Sequence, residues 1–139
     1  MNDRRVQQIQ AYAKWLREFG WAWFATLKLA SGIPSERRAK QLFDEWVSRL
    51  KAQEGGPNFR WVRVLEKGMS EKNFHFHVLV GGLKNRRAVW QRNWDNAGGQ
   101  ALIERYDPSR EGVLYMLKNM GDEGDIDVNF EGLEPKRRP

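Results

Sequence analysis

One short run does most to limit what this chain can fold into: Phe74-His75-Phe76-His77-Val78-Leu79-Val80. Apolar residues at every second position fit an extended strand, in which successive side chains point to opposite faces. Phe74, Phe76, Val78 and Val80 then line one face, and His75 and His77 leave together from the other. The chain has no other histidine among its 139 residues. An apolar strand gains nothing from two neighbouring imidazoles. Their roots lie about 7 Å apart by strand rise, close enough for both rings to converge on one divalent ion.

The remaining segments supply partners for that strand. Residues 3–19 have Val6, Ile9, Ala13 and Leu16 at helical spacing, and Gly20 ends the helix. Residues 21–29, rich in tryptophan and phenylalanine, predict a strand. Ser35 is placed to cap a helix over 36–52, whose Ala39, Leu42, Phe43, Trp46, Val47 and Leu50 form a core-facing stripe. Gly55-Gly56-Pro57 ends that helix, and a strand is expected over 59–66. A charged turn, 67–73, joins it to the histidine strand as an antiparallel pair. Gly81-Gly82 predicts a second break. Beyond it a short helix is expected over 85–97, a strand over 100–106, a helix from Pro108 to about Asn119 and a strand over 126–130. Residues 131–139 read as a polar, frayed tail. The whole is one domain over 1–139, an α+β sandwich of five mostly antiparallel strands with helices packed on its faces.

Composition narrows the function classes. A net charge of +6 points to an acidic partner, of which nucleic acid is the usual one. With no cysteine there is neither a disulfide framework nor a thiolate metal site. No apolar run reaches the roughly 20 residues of a membrane span, and Met1–Arg5 lacks the apolar core of a signal peptide. A cytoplasmic protein without membrane attachment is therefore expected.

Two histidines need at least one further metal ligand. Glu66 ends the preceding strand, where hairpin pairing brings it beside His75 and His77. Such a set leaves positions for water and substrate, and suits Mg²⁺ or Mn²⁺ acting on a phosphate, although zinc would also accept it. The late helix offers a second constellation. At 100° per residue, Glu111, Tyr115 and Lys118 fall within an arc of about 60°, apart from an apolar stripe of Val113, Leu117 and Met120. A phenol with a pKa near ~10 is a poor nucleophile unaided. Lys118 could hold the developing negative charge and Glu111 could handle a proton or a water.

His75-Phe76-His77 resembles the histidine–hydrophobic–histidine motif of the HUH endonucleases, and Tyr115-Met116-Leu117-Lys118 is similar to the tyrosine-x-x-lysine motif of their single-tyrosine replication-initiator (Rep) branch. Phe24-Ala25-Thr26-Leu27-Lys28 looks like a loose form of the branch's first motif, with Lys28 where many members carry threonine. Glu66 stands at the usual place of the carboxylate ligand, and Glu111, four residues before Tyr115, resembles the hydrolytic glutamate of one plasmid Rep lineage. The resemblance implies an RRM-like sandwich that nicks and joins single-stranded DNA at a replication origin through a 5′-phosphotyrosine intermediate, starting rolling-circle replication. It makes Tyr115 the nucleophile with Lys118 and Glu111 assisting, Glu66, His75 and His77 the ligands of Mn²⁺ or Mg²⁺, and a host helicase and polymerase the protein partners. Lys28, Arg63, Lys67, Lys72 and Arg86 are the cationic candidates for the DNA surface, with Trp21, Trp23 and Trp61 as stacking groups or core. A single-tyrosine HUH transposase is the sister reading, and a noncatalytic nucleic-acid-binding module the reading from another class.

Overall fold

The computed structural model of the protein describes residues 3–29, 35–67, 74–84, 90–91, 94–95, 99–107, 113, 117 and 126–129. Its elements are α1 (Asp3–Arg17), β1 (Trp23–Leu29), α2 (Glu36–Glu54), β2 (Gly55–Lys67), β3 (Phe74–Leu83), β4 (Gly99–Arg105) and β5 (Ile126–Asn129). Trp90, Gln91, Trp94 and Asp95 are helical, as are Val113 and Leu117.

The strands make an open antiparallel sheet in the order β4-β1-β3-β2-β5. Four strands form its body, and β5, only four residues long, pairs with the outer side of β2. Both β1 and β2 run antiparallel to β3, so they are parallel to each other with β3 between them. This is a split β-α-β unit with α2 as the crossover.

Each face of the sheet has its own apolar layer because each strand alternates. Trp23, Ala25, Leu27 and Leu29 of β1, with Phe74, Phe76, Val78 and Val80 of β3, meet Ala39, Leu42, Phe43, Trp46 and Leu50 of α2. Trp90 and Trp94 close the same layer. Trp46 is stacked on Trp90 with ring centroids 5.7 Å apart, and its indole N–H donates to the Trp90 carbonyl at 2.9 Å. Ser35 caps α2 as expected, accepting from Arg38 N–H at 3.1 Å. On the opposite face, Ile9, Ala13, Trp15 and Leu16 of α1 pack over Val62, Val64 and Leu79, together with Val113 and Leu117. Trp21, Trp23 and Trp61 are all buried in these layers, so they belong to the core rather than to a base-stacking surface.

α2 ends at Glu54 with Gly55 as its C-cap, as expected, but the break expected at Gly81-Gly82 is absent. β2 begins at Gly55, directly after α2, and β3 runs through Gly81 and Gly82 to Leu83. Gly55 pairs with Leu83 and Arg60 with Gly81, so the ladder shifts register between them. Gly56 and Gly82 lie within this irregular stretch of the ladder. Gly82 has a φ of +77°, and a Cβ there would lie 2.4 Å from the Asn58 carbonyl oxygen. Gly82→Ala should therefore cost on the order of 2–4 kcal/mol, from the left-handed backbone and the clash with rigid main chain together. Chemical denaturation would read this as a lower midpoint at unchanged slope; an unchanged midpoint would mean that this stretch of the ladder relaxes freely.

Candidate functional site

Antiparallel register decides which side chains share the α1 face. At one level Gln100 of β4, Lys28 of β1, His75 of β3 and Glu66 of β2 lie in a row across the sheet. At the next level the row is Leu102, Thr26, His77 and Val64. The expected ligand trio is thus brought to one face, on two neighbouring strands. The closest side-chain approach is diagonal: His77 Nε2 donates to Glu66 Oε2 at 2.6 Å, although Glu66 is the register partner of His75. A bond this short is typical of a charge-assisted pair.

His77 is deeply buried, at 6% exposure. The Phe24 ring lies against it, with centroids 6.2 Å apart. His75 is less enclosed, but its Nδ1 is buried with no hydrogen-bond partner among the described residues. Burial is the main influence holding the His75 pKa below the ordinary histidine range. Glu66 pulls it back up, while His77 and Lys28 push it further down. Because the folded state resists protonating this ring, folding is opposed as pH falls below the ordinary histidine value. Near neutrality His75 is a neutral imidazole, the form that can offer a lone pair to a cation.

The donor types, two imidazoles and a carboxylate, fit a divalent ion of the magnesium–manganese–zinc group. Among the described residues, however, no three His, Asp or Glu side chains already converge as a metal cluster. One Glu66 carboxylate oxygen, Oε2, is instead engaged by His77. An ion held by this set would replace the proton between those two atoms, as metal binding to imidazole and carboxylate generally does.

The other expected residues divide sharply. Lys28 is exposed on the histidine face beside His75. Arg63 is a correction: odd-numbered positions of β2 face α2, and Arg63 is 7% exposed on the side away from the histidines. Its guanidinium lies over the rings of Phe43, Trp61 and Phe76 at 4.6, 5.3 and 5.6 Å and pairs with Asp44 at 3.0 Å. It is a structural cation of the α2 layer. The Lys67 backbone pairs with Phe74 at the end of β2. Lys72, Arg86, Glu111, Tyr115 and Lys118 lie outside the described residues. Their neighbours Val113 and Leu117 are described, and both are fully buried in the layer that contains Val62, Val64 and Leu79, on the face that carries the histidines.

The sequence reading overlooked Thr26, the register partner of His77, and a cavity of about 630 Å³ beside His75. Thr26, Lys28, Gln91, Asp95, Gln100 and Leu102 contribute to its walls. Alternation within residues 24–28 could have placed Thr26 and Lys28 on one face; the contribution of β4 depends on strand order.

No family model matches the chain, and no curated protein matches it. Among solved structures it is similar to the crystal structure of the hypothetical protein ORF119 from Sulfolobus islandicus rod-shaped virus 1, with a TM-score of 0.56 and 16% sequence identity, covering 84% of this chain and 95% of that one. At that identity the likeness is one of fold: an α+β arrangement built on an open antiparallel sheet.

Proposed function

We propose that this protein is an HUH-type endonuclease of the Rep kind, which nicks and rejoins single-stranded DNA through a covalent bond to Tyr115. One observation carries the reading most. Glu66, His75 and His77 share a sheet face, and Val113 and Leu117, two residues either side of Tyr115, are buried on that same face.

In the proposed reaction the Tyr115 oxygen forms a bond to a DNA phosphorus and the P–O3′ bond breaks. The leaving 3′ oxygen takes up a proton, and the phenol proton passes to a nearby base, for which Glu111 is the candidate. Lys118 offsets the charge that builds on the phosphate oxygens. Attack by the 3′-hydroxyl on the phosphotyrosine reverses the sequence and rejoins the strand; attack by water releases the protein. Glu66, His75 and His77 would hold Mn²⁺ or Mg²⁺, whose chemistry when bound is to polarise the phosphate. Lys28, exposed beside His75, supplies part of the electrostatic attraction for the DNA backbone.

The test is an adduct assay. The full chain is mixed with Mn²⁺ and a 3′-labelled pool of randomised single-stranded oligonucleotides, then run under denaturing conditions. Label should travel with the protein, and EDTA should prevent it. Glu66→Gln removes the carboxylate charge while keeping its shape, and should weaken Mn²⁺ binding by at least about tenfold in calorimetry. It should also suppress the adduct. Retained Mn²⁺ affinity in this variant would remove Glu66 from the ligand set.

A second reading is favoured by the closed Glu66–His77 contact: a noncatalytic nucleic-acid-binding module in which that pair is structural. It expects DNA binding with no adduct at any Mn²⁺ concentration.

A further inference from the structure

We propose that the cavity lined by β1, β4, Gln91 and Asp95 is a base-reading pocket that accepts adenine or cytosine through the exocyclic amine of the major-groove edge and disfavours thymine. This inference rests on the single-stranded-DNA reading above and extends it to substrate choice.

The cavity opens beside His75, so a strand whose phosphate lies over the histidines has a neighbouring nucleotide within reach of it. Its volume of about 630 Å³ falls in the range of small-ligand sites. The walls divide by chemistry. Lys28 provides a cation for the backbone on the side next to His75. Leu102 is 60% exposed and shares the histidine face through its pairing with Thr26. An exposed leucine is unremarkable alone, but here it gives an apolar surface for a base plane. Gln91, Gln100 and Asp95 are the polar groups that can read a base edge.

Asp95 fixes the polarity of that reading. Its Oδ1 accepts from the Ala101 N–H at 3.1 Å, which ties the carboxylate to the start of β4. A carboxylate can only accept hydrogen bonds from a base. On the major-groove edge adenine and cytosine offer an exocyclic N–H₂ to such an acceptor, whereas thymine and guanine offer a carbonyl oxygen there. Placement against Asp95 therefore sets an acceptor against the thymine carbonyl. Lys28 is held nearby, because the Trp94 indole N–H donates to the Lys28 carbonyl at 3.2 Å and joins that part of β1 to the residue preceding Asp95.

The test measures equilibrium binding of fluorescein-labelled dA, dC and dT octamers to the full chain with Mn²⁺, by anisotropy. Octamers of dA and dC should bind at least about fivefold more tightly than dT. Asp95→Asn can keep its bond to Ala101 through the amide oxygen while presenting N–H₂ in place of the second oxygen. It should bring dT level with dC or ahead of it, a reversal that a merely structural Asp95 would not produce. Leu102→Ser should weaken all three octamers by a similar factor, about fivefold or more. Thermal denaturation of each variant separates lost contacts from lost fold. Equal affinities for the three octamers in the wild-type chain overturn the pocket, as does an unchanged preference in a folded Asp95→Asn protein. Base preference in a protein that never forms an adduct would uphold the pocket and sink the nicking reading; an adduct without preference would do the reverse.

Discussion

Tyr115→Phe should abolish covalent attachment to DNA, by at least about 10⁴-fold, while leaving folding and single-strand binding in place. The substitution removes one oxygen, the atom that bonds to phosphorus in the proposed reaction, and keeps the ring. Loss of a nucleophile is among the most damaging changes an enzyme can suffer, because no remaining group makes that bond. The measurement is the yield of 3′-labelled DNA on the protein with Mn²⁺, alongside anisotropy with the same oligonucleotide pool. The chain has three tyrosines, at positions 12, 106 and 115. Tyr12 and Tyr106 both pack against the apolar layer on the histidine face. An adduct that survives Tyr115→Phe but disappears in Tyr106→Phe would move the nucleophile to the end of β4. No adduct in the wild-type chain under any condition would leave the binding module as the better reading.

Trp46→Ala should destabilise the protein by about 3–5 kcal/mol, a large part of the roughly 5–15 kcal/mol that holds a domain of this size folded. Trp46 is fully buried at the centre of the α2 layer. Its neighbours are Phe43, Trp90 and Trp94, with ring centroids 5.6, 5.7 and 5.8 Å away. Truncation would open a cavity among these rings and remove the hydrogen bond to the Trp90 carbonyl. Because Trp94 in turn bonds the Lys28 carbonyl, the damage should spread toward the edge of β1 that borders the histidines. Urea unfolding checks the prediction; a loss below about 1 kcal/mol would mean that α2 is not seated on the sheet as described.

Elements with a strong internal period were legible without coordinates. The stripe from Ala39 to Leu50 and the alternation from Phe74 to Val80 each state which residues go inside, since a helix or strand repeats its own geometry. The hairpin relation of Glu66 to the histidines followed from a short polar connection. Gly55-Gly56-Pro57 was legible as the end of α2, but Gly81-Gly82 was misread as a break because glycine marks turns and strand bulges alike, and only pairing tells them apart. Arg63 was misassigned for a related reason. A cation in a strand of a basic protein suggests a DNA surface, but its parity places it under α2, where three aromatic faces and Asp44 receive it.

Local order along the chain thus determined the two histidines' common face, the carboxylate one strand away and the α+β class. The tertiary structure alone decided what surrounds them. Strand order put β4 beyond β1 and so placed Gln100, Leu102 and Asp95 near His75. It also buried Val113 and Leu117 over the histidine face, and turned Glu66 diagonally onto His77 instead of its register partner. The physical reason is range. Alternation and helical period are set by neighbours a few residues apart, whereas strand order and face-to-face packing are settled by residues dozens of positions away, through burial that no single segment can achieve alone.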